Sequence, residues 1–308
     1  MAVGWQILDL TSLHGKICFL RNKRKLSITS FDTGEIVECS PIDINILFVG
    51  IGVSIGAGVI SHLTANDVIV LFCDWKGVPI SGMYPWINPH GRIAARQRAQ
   101  ASLSTPRSKN AWMRIVKAKI LGQAANLDAL GRLGGDKLRE IAAHTKSGDP
   151  SNCEAVAARY YWPRLFADRG FLRTPGDRFD NRNSMLDYAY TILRGHSMRA
   201  VLSAGLTPAL GIYHRGHSNS FALADDLIEP FRPAIDYVVV RMNQGDNLES
   251  KEVRKKLVQS TTQQFLVSGE TIPSAMVDFA QAYGMYVEGD TKYLSVPVWN
   301  FLEGRFNE

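Results

Sequence analysis

Cysteine is scarce in this chain. Four residues, Cys18, Cys39, Cys73 and Cys153, lie far apart with no C-x-x-C pair, which excludes a disulfide framework and a structural zinc site and leaves reduced, mostly buried thiols as the expectation. Long apolar runs are missing too. The most hydrophobic stretch, "INILFVGIGVSIGAGVI", is glycine-rich, bounded by polar residues and short for a membrane span. The opening "MAVGWQILDL" has no basic segment ahead of an apolar one, so no signal peptide and no membrane partner are expected, and a cytoplasmic protein is. A dinucleotide fingerprint is also lacking. Gly50, Gly52 and Gly56 in "VGIGVSIGAG" follow a strand and open a helix, but their spacing is not G-x-G-x-x-G and no suitable acid follows the next strand. Glycines easing a strand–helix turn explain them better than a nucleotide-dependent oxidoreductase does. His214 and His217 find no further ligand at zinc spacing, and His217 reads as solvent-facing or hydrogen-bonded.

The most pointed absence is local. From Gly91 to Ile120 there is no acidic residue, while Arg92, Arg96, Arg98, Arg107, Lys109, Arg114, Lys117 and Lys119 all fall there. Solvated helix faces usually mix signs. A stripe of one sign suits phosphates, whose neutralisation releases counterions; the plainer alternative is a basic surface that keeps the protein soluble. "RNKRK" at 21–25 reads as a charged hairpin tip. The formal charge of the 308 residues is +6, with 45% hydrophobic and 21% charged residues, a balance that excludes disorder and allows two domains of ordinary size.

The texture of the chain changes once. "KICFL", "KLSITSF", "GEIVECS", "INILFVG" and "VIVLFCD" are β-branched or alternating runs separated by turn residues, with one helix expected near Ser54–Leu63. After "PWINPHGR" the spacing becomes helical, predicting helices over 91–103, 108–132, 134–145, 152–167, 182–204, 221–228, 231–243, 248–258 and 272–284. The expected fold is therefore α+β: an N-terminal β-rich domain, 1–88, holding a twisted sheet or sandwich with one helix, and a larger all-α C-terminal domain, 89–308, with the boundary around 85–92.

Chemistry concentrates in "GIYHRGHSNSFALADDLIEPFRP", residues 211–233. Two histidines and three acids stand beside Phe and Leu, which suits a metal site, a proton-transfer site, or a helix whose polar face is only wet. With a helix from Phe221, Asp226 and Glu229 fall i, i+3 on one face, and Pro230 and Pro233 break or restart it, fixing Glu229 at a junction. Carboxylates suit Mg²⁺ or Mn²⁺, and Mn²⁺ also accepts imidazole. A further acid, Glu154, leads a face with Ala157, Ala158 and Tyr161, whose small residues would let a neighbouring helix approach closely. Its plainer role is the capping box Ser151-x-x-Glu154.

Three segments in order resemble one family. "EAVAARYYW" at 154–162, "NRNSMLDYAYTILR" at 181–194 and "GLTPALGIYHRGHSNSFALADDLIEPFRP" at 205–233 are similar to the Glu-x-x-Ala-Ala-Arg-x-Tyr, Asn-x-x-Leu-x-Tyr-x-Tyr-x-x-Leu and Gly-x-x-Pro-x-x-Gly-x-x-His…Asp-Leu-x-Glu-x-x-Arg-Pro blocks of the CRISPR-associated spacer-acquisition integrase, the larger subunit of the adaptation complex. "SIGAGVISHLTANDVIVLFCDWKGVPI" matches the family's strand–helix–strand register, and "DLIEPFRP" resembles members found beside single-protein RNA-guided effector nucleases. The resemblance covers nearly the whole chain.

It implies a metal-dependent DNA endonuclease and integrase that inserts short foreign DNA into a CRISPR array by 3′-hydroxyl attack on a phosphodiester. The implied ligands of a Mg²⁺ or Mn²⁺ ion are Glu154, His214 and Glu229, with Asp226 supporting them. Ala155 stands where many members have glycine, and Asp225 adds a charge beside Asp226. Implied partners are double-stranded DNA (spacer precursor and CRISPR repeat–leader), a second copy of the chain, a small ferredoxin-like subunit clasped by two such dimers in a heterohexamer, and an RNA-guided effector nuclease. Dimerisation and DNA contacts are expected of the N-terminal domain. Arg92, Arg96, Arg114, Lys117, Arg159, Tyr160 and Arg232 are the expected DNA contacts in the helical part. The competing reading is a catalytically silent, DNA-binding structural subunit of the same assembly.

Overall fold

The computed structural model describes residues 6–75, 79–83, 92–168, 170–177, 179–214, 216–243 and 245–300. The chain divides into two compact units, Met1–Pro89 and His90–Glu308. The expected junction at 85–92 lies, apart from Arg92, outside the described residues.

The first unit holds two four-stranded sheets. One has the order β1(Gln6–Leu10), β5(Ile44–Val49), β7(Ile69–Cys73), β8(Pro79–Met83), with β8 antiparallel and the others parallel. The other runs β4(Ile36–Cys39), β3(Lys25–Ser30), β2(Gly15–Leu20), β6(Val53–Ile55), with only the β2–β6 pair parallel. Strand β5, buried at every position, reads as an apolar run broken only by Asn45 because both its faces are covered. Leu10, Leu47 and Val70 of the first sheet meet Ile17, Leu26 and Ile28 of the second, and Val59 and Leu63 of helix α1(Ala57–Ala65) complete this core.

Three strands were not anticipated, β1, β6 and β8; each has only 3 to 5 residues and carries no continuous β-branched run. The helix expected from Ser54 begins at Ala57 because Ser54 and Ile55 pair with β2 and Gly56 caps the helix. A Cβ at Gly50 would sit 2.2 Å from Thr11 O, so that glycine serves a close backbone approach. The cysteines are free, with Cys73 and Cys153 buried but Cys18 exposed.

The second unit is helical: α2(Ile93–Ala101), α3(Thr105–Ala129), α4(Gly135–His144), α5(Cys153–Leu165), α6(Asn181–Ser203), α7(Ala222–Leu227), a 3₁₀ turn Glu229–Phe231, α8(Arg232–Val240), α9(Lys251–Ser260) and α10(Ile272–Glu288). Helix α3 runs through the middle. It buries Trp112, Ile115, Val116, Ile120, Ala124 and Leu127 in the core and packs on α4, α5, α8 and the 3₁₀ turn. Fully buried Asn126, on the same helix, ties three elements at once. Its amide donates to Tyr161 Oη at 2.8 Å and to Pro233 O at 2.7 Å, and its carbonyl accepts from Trp299 Nε1 at 2.8 Å. A donor or acceptor left unmet at such a depth costs about 1–3 kcal/mol, so the register of α3, α5 and α8 is fixed by one side chain.

Candidate functional site

Each candidate side chain is positioned by a local feature of its own. Glu154 is the second residue of α5, and the cap of that helix is not the expected box. The Asp149 carboxylate accepts from Cys153 N (2.8 Å) and Glu154 N (3.0 Å), and Asn152, in a left-handed conformation, accepts from Ala155 N. With the orphan N–H groups met by Asp149 and Asn152, the Glu154 side chain is released for another partner. Glu229 opens the 3₁₀ turn that Pro230 imposes between α7 and α8, and its side chain is 4% exposed.

These two glutamates meet on a lysine. Lys119 Nζ, from the middle of α3, lies 2.6 Å from Glu154 Oε1 and 2.6 Å from Glu229 Oε2. Arg232 holds the other Glu229 oxygen at 3.0 Å and stacks over the Tyr190 ring at 4.6 Å. Burial alone would push the Glu229 carboxyl up, but Arg232 and Lys119 outweigh it and hold the group below the usual carboxylate range. Burial likewise opposes the charge on Lys119, and Glu229 and Glu154 overcome it, so the ammonium is held above its ordinary value. Glu229 Oε2 takes no well-directed hydrogen bond despite the nearby ammonium.

His214 sits on the loop before α7. Its Nδ1 lies 2.6 Å from Asp226 Oδ1, and Asp226, fully buried, also accepts from the backbone N–H groups of Tyr213 and His214 at 3.0 and 3.3 Å and from that of Ile212. The loop can wrap the carboxylate this closely because residue 211 is glycine; a Cβ there would lie 2.2 Å from His214 O and 3.0 Å from Asp226 Oδ2. Trp112 and Tyr213, stacked at 4.4 Å, both meet the His214 ring edge-on. The hydrogen bond that Nδ1–H donates to Asp226, against the pull of burial, raises the His214 pKa, and the charges of Asp226, Glu229 and Glu154 add to it. Nδ1 is thus committed, leaving Nε2 as the nitrogen for a ligand, the arrangement of a metal-binding histidine oriented by a carboxylate. Asp225 turns the other way, 2.7 Å from Arg194 Nε, with Asn219 beside it. Of the two neighbouring acids, Asp226 is the one that meets His214.

Two carboxylates and an imidazole are a donor set for a hard divalent ion. The meeting of both carboxylates on one cationic nitrogen, and the unfulfilled Glu229 Oε2, fit such an ion. Among the described residues, however, no three His, Cys, Asp or Glu side chains already form a cage: Lys119 stands between the glutamates.

The basic stripe divides. Arg96 is buried, bonded to Glu288, Gln281 and Ala204 O, which corrects its expected place at a phosphate. Arg107 is likewise bonded inward, to the carbonyls of Tyr286 and Thr291. Arg232 serves Glu229. Arg92 reaches Glu288 at 3.2 Å but stays 66% exposed, Arg114 lies over Tyr293 with Nε on Asn110, Lys117 is half-buried and Arg159 exposed. Tyr160 packs under the Arg164 guanidinium, 3.5 Å from ring centre.

Sequence reasoning missed Lys119 as a site residue, counting it with the stripe. Its position in "WMRIVKAKILGQAAN" was the signal: it continues the buried row Trp112, Ile115–Val116, Gln123, Asn126 at helical spacing. It also missed Asp236, which accepts from Tyr161 Oη (3.1 Å) and Tyr190 Oη at full burial.

A family model described as "CRISPR associated protein Cas1" matches residues 14–266. The CRISPR-associated endonuclease Cas1 of Neisseria meningitidis serogroup C (strain 8013) is 35% identical over 198 residues, 64% of this chain and 64% of that protein, so the match spans a little less than two thirds of the relative's length. Among solved structures, a casposase bound to integration product matches with a TM-score of 0.79 at 19% identity, covering 99% of this chain and 96% of the other. A Cas6-RT-Cas1–Cas2 complex matches with a TM-score of 0.73 at 20% identity, covering 98% of this chain and 37% of the other. These structures share the fold. With the family model extending over most of its length, from residue 14 through the segments that carry Glu154, His214 and Glu229, the chain belongs to the Cas1 family of CRISPR-associated proteins.

Proposed function

We propose that this protein is a metal-dependent DNA endonuclease and integrase that inserts short foreign DNA segments into a CRISPR array. The observation that carries the reading is the convergence of Glu154 and Glu229 on one cationic nitrogen, with His214 oriented by Asp226 and near enough for the charges of both glutamates to raise its pKa. Likeness to a CRISPR-associated endonuclease, and to the fold of a casposase bound to an integration product, supports it.

Glu154, Glu229 and the Nε2 of His214 would hold a Mg²⁺ or Mn²⁺ ion. When bound, such an ion supplies positive charge that offsets the charge developing on the transferring oxygens. The chain keeps the donors ready. Arg232 stays on Glu229 Oε1 and preserves its charge, and Asp226 holds the imidazole in the tautomer that leaves the Nε2 lone pair free. In the exchange, a P–O bond forms to the incoming 3′-oxygen as the target strand's P–O3′ bond breaks. One proton leaves the attacking hydroxyl and one is taken up by the departing oxygen. With water as nucleophile the same site cuts DNA.

The partners belong to the same proposal: double-stranded DNA, a second copy of the chain, a small ferredoxin-like subunit joining two dimers into a heterohexamer, and an RNA-guided effector. The fold shared with the Cas6-RT-Cas1–Cas2 complex supports the small subunit. The first unit would serve dimerisation and DNA contacts, while Arg92, Arg114, Lys117, Arg159 and Tyr160 would meet DNA from the second. No helix among the described residues is long and apolar enough to cross a membrane.

The test is an integration assay with Glu229→Ala. Loss of product is expected, and unchanged product with Mn²⁺ would remove Glu229 from the site. Closure of the glutamate pair by Lys119 favours a second reading, a silent DNA-binding subunit. Mn²⁺-dependent nicking by the purified chain supports the enzyme; binding with a steep salt dependence and no turnover supports the silent subunit.

A further inference from the structure

The position of Lys119 goes beyond donor geometry. Its ammonium is 2.6 Å from one oxygen of each glutamate, so those oxygens are at most twice that distance apart, close enough to repel strongly in a buried place unless a cation sits between them. A divalent ion ligated by both carboxylates, with metal–oxygen bonds of about 2.0–2.1 Å for Mg²⁺, would need the same ground. Two cations cannot share it. We propose that Lys119 is an internal counter-cation that holds Glu154 and Glu229 together in the metal-free protein, and that a divalent ion binds by displacing it.

Three features favour exchange over a permanent lock. Only the contact with Glu154 Oε1 is a well-directed hydrogen bond, at 2.6 Å, while that with Glu229 Oε2 is electrostatic, so a single directed hydrogen bond is lost when the ammonium moves. Glu229 is not stranded by that departure, because Arg232 remains 3.0 Å from its other oxygen. The Lys119 side chain is 13% exposed, Glu154 25% and His214 43%, so the cluster is not sealed from solvent. A lysine is also suited to the task by its flexible four-carbon stem, which can withdraw a point charge without disturbing the helix that carries it. Lys119 is thus a residue that sets metal affinity rather than a ligand, and the inference rests on the metal-site reading given above.

The experiment measures Mn²⁺ binding to the full chain by calorimetry or by the signal of free Mn²⁺ in electron paramagnetic resonance, alongside melting temperature with and without Mn²⁺. Lys119→Met, which removes the competitor, is expected to lower the metal-free melting temperature by several degrees, to tighten Mn²⁺ binding about tenfold or more, and to gain more from added Mn²⁺ than the unaltered protein does. Lys119→Arg, which keeps the charge and can bind both carboxylates through its fork, is expected to weaken Mn²⁺ binding by a similar factor; it carries the test if Lys119→Met does not fold. Equal Mn²⁺ affinity in the unaltered protein and the variants, or weaker binding in Lys119→Met, overturns the displacement while leaving the metal site standing. Absence of Mn²⁺ binding in the unaltered protein and in both variants overturns the metal site itself.

Discussion

Two buried carboxylates on one short segment, Glu229 and Asp236, are handled in opposite ways. Glu229 is flanked by two cations and kept ionised against its burial. Asp236 is met by the hydroxyls of Tyr161 and Tyr190; burial prevails over those hydrogen bonds and over the more distant Arg232, and its pKa rises to about 6. The contrast separates two uses of a buried acid. A carboxylate surrounded by hydroxyl donors fixes the packing of α5, α6 and α8. A carboxylate surrounded by exchangeable positive charge stays available to a ligand.

The sharpest way to break this distinction is to neutralise each acid in turn. Glu229→Gln is expected to lower strand-transfer rate by more than about 100-fold, the scale on which removal of an oriented electrostatic group acts, with a smaller effect on stability. Asp236→Ala is expected to do the reverse, costing about 2–4 kcal/mol in urea denaturation because two buried hydroxyls lose their acceptor. If Asp236→Asn abolished strand transfer at unchanged stability, the two acids would not be doing different things. Next in size, Asp226→Asn should weaken Mn²⁺ binding about 10–100-fold by releasing the His214 ring, read by calorimetry.

The smallest effect is a pH dependence. Asp236 binds its proton more tightly folded than unfolded, so between its unfolded value near 4 and its folded value of about 6 the native state holds more protons. Its contribution therefore favours folding at the acid end and is lost as pH rises through 6. Glu229 has the opposite sign, contributing stability above its unfolded value that is lost as pH falls through its lower folded one. Asp236→Asn should flatten the decline in stability from pH 4 to 6, measured by urea denaturation at each pH, and Glu229→Gln should leave that decline in place.

Much of this was legible in the sequence, for reasons that can be stated residue by residue. Glu154, His214 and Glu229 stand in spaced blocks, and the prolines after Glu229 announced a helix junction that is present as a 3₁₀ turn. The long helices of the second unit were readable from their period, as were the strands of the first that carry continuous β-branched runs. What could not be read was orientation. Asp225 and Asp226 are neighbours on a helix of 6 residues, and only the fold decides that one meets Arg194 and the other His214. Ser151 and Glu154 satisfied a capping pattern, but Asp149 and Asn152 reached the free N–H groups first. Charge counting placed Arg96 and Lys119 on a wet surface because composition does not record depth. Both are paired with glutamates from distant parts of the chain, Glu288 for the first and Glu154 and Glu229 for the second.

Asn126 carries a last implication. The tail end of the described chain enters the interior through Trp299, whose indole nitrogen rests on the same amide that grips the Pro233 carbonyl just behind Glu229. Trimming the protein ahead of Trp299 would therefore spare every proposed ligand and still loosen the hinge on which one of them is mounted.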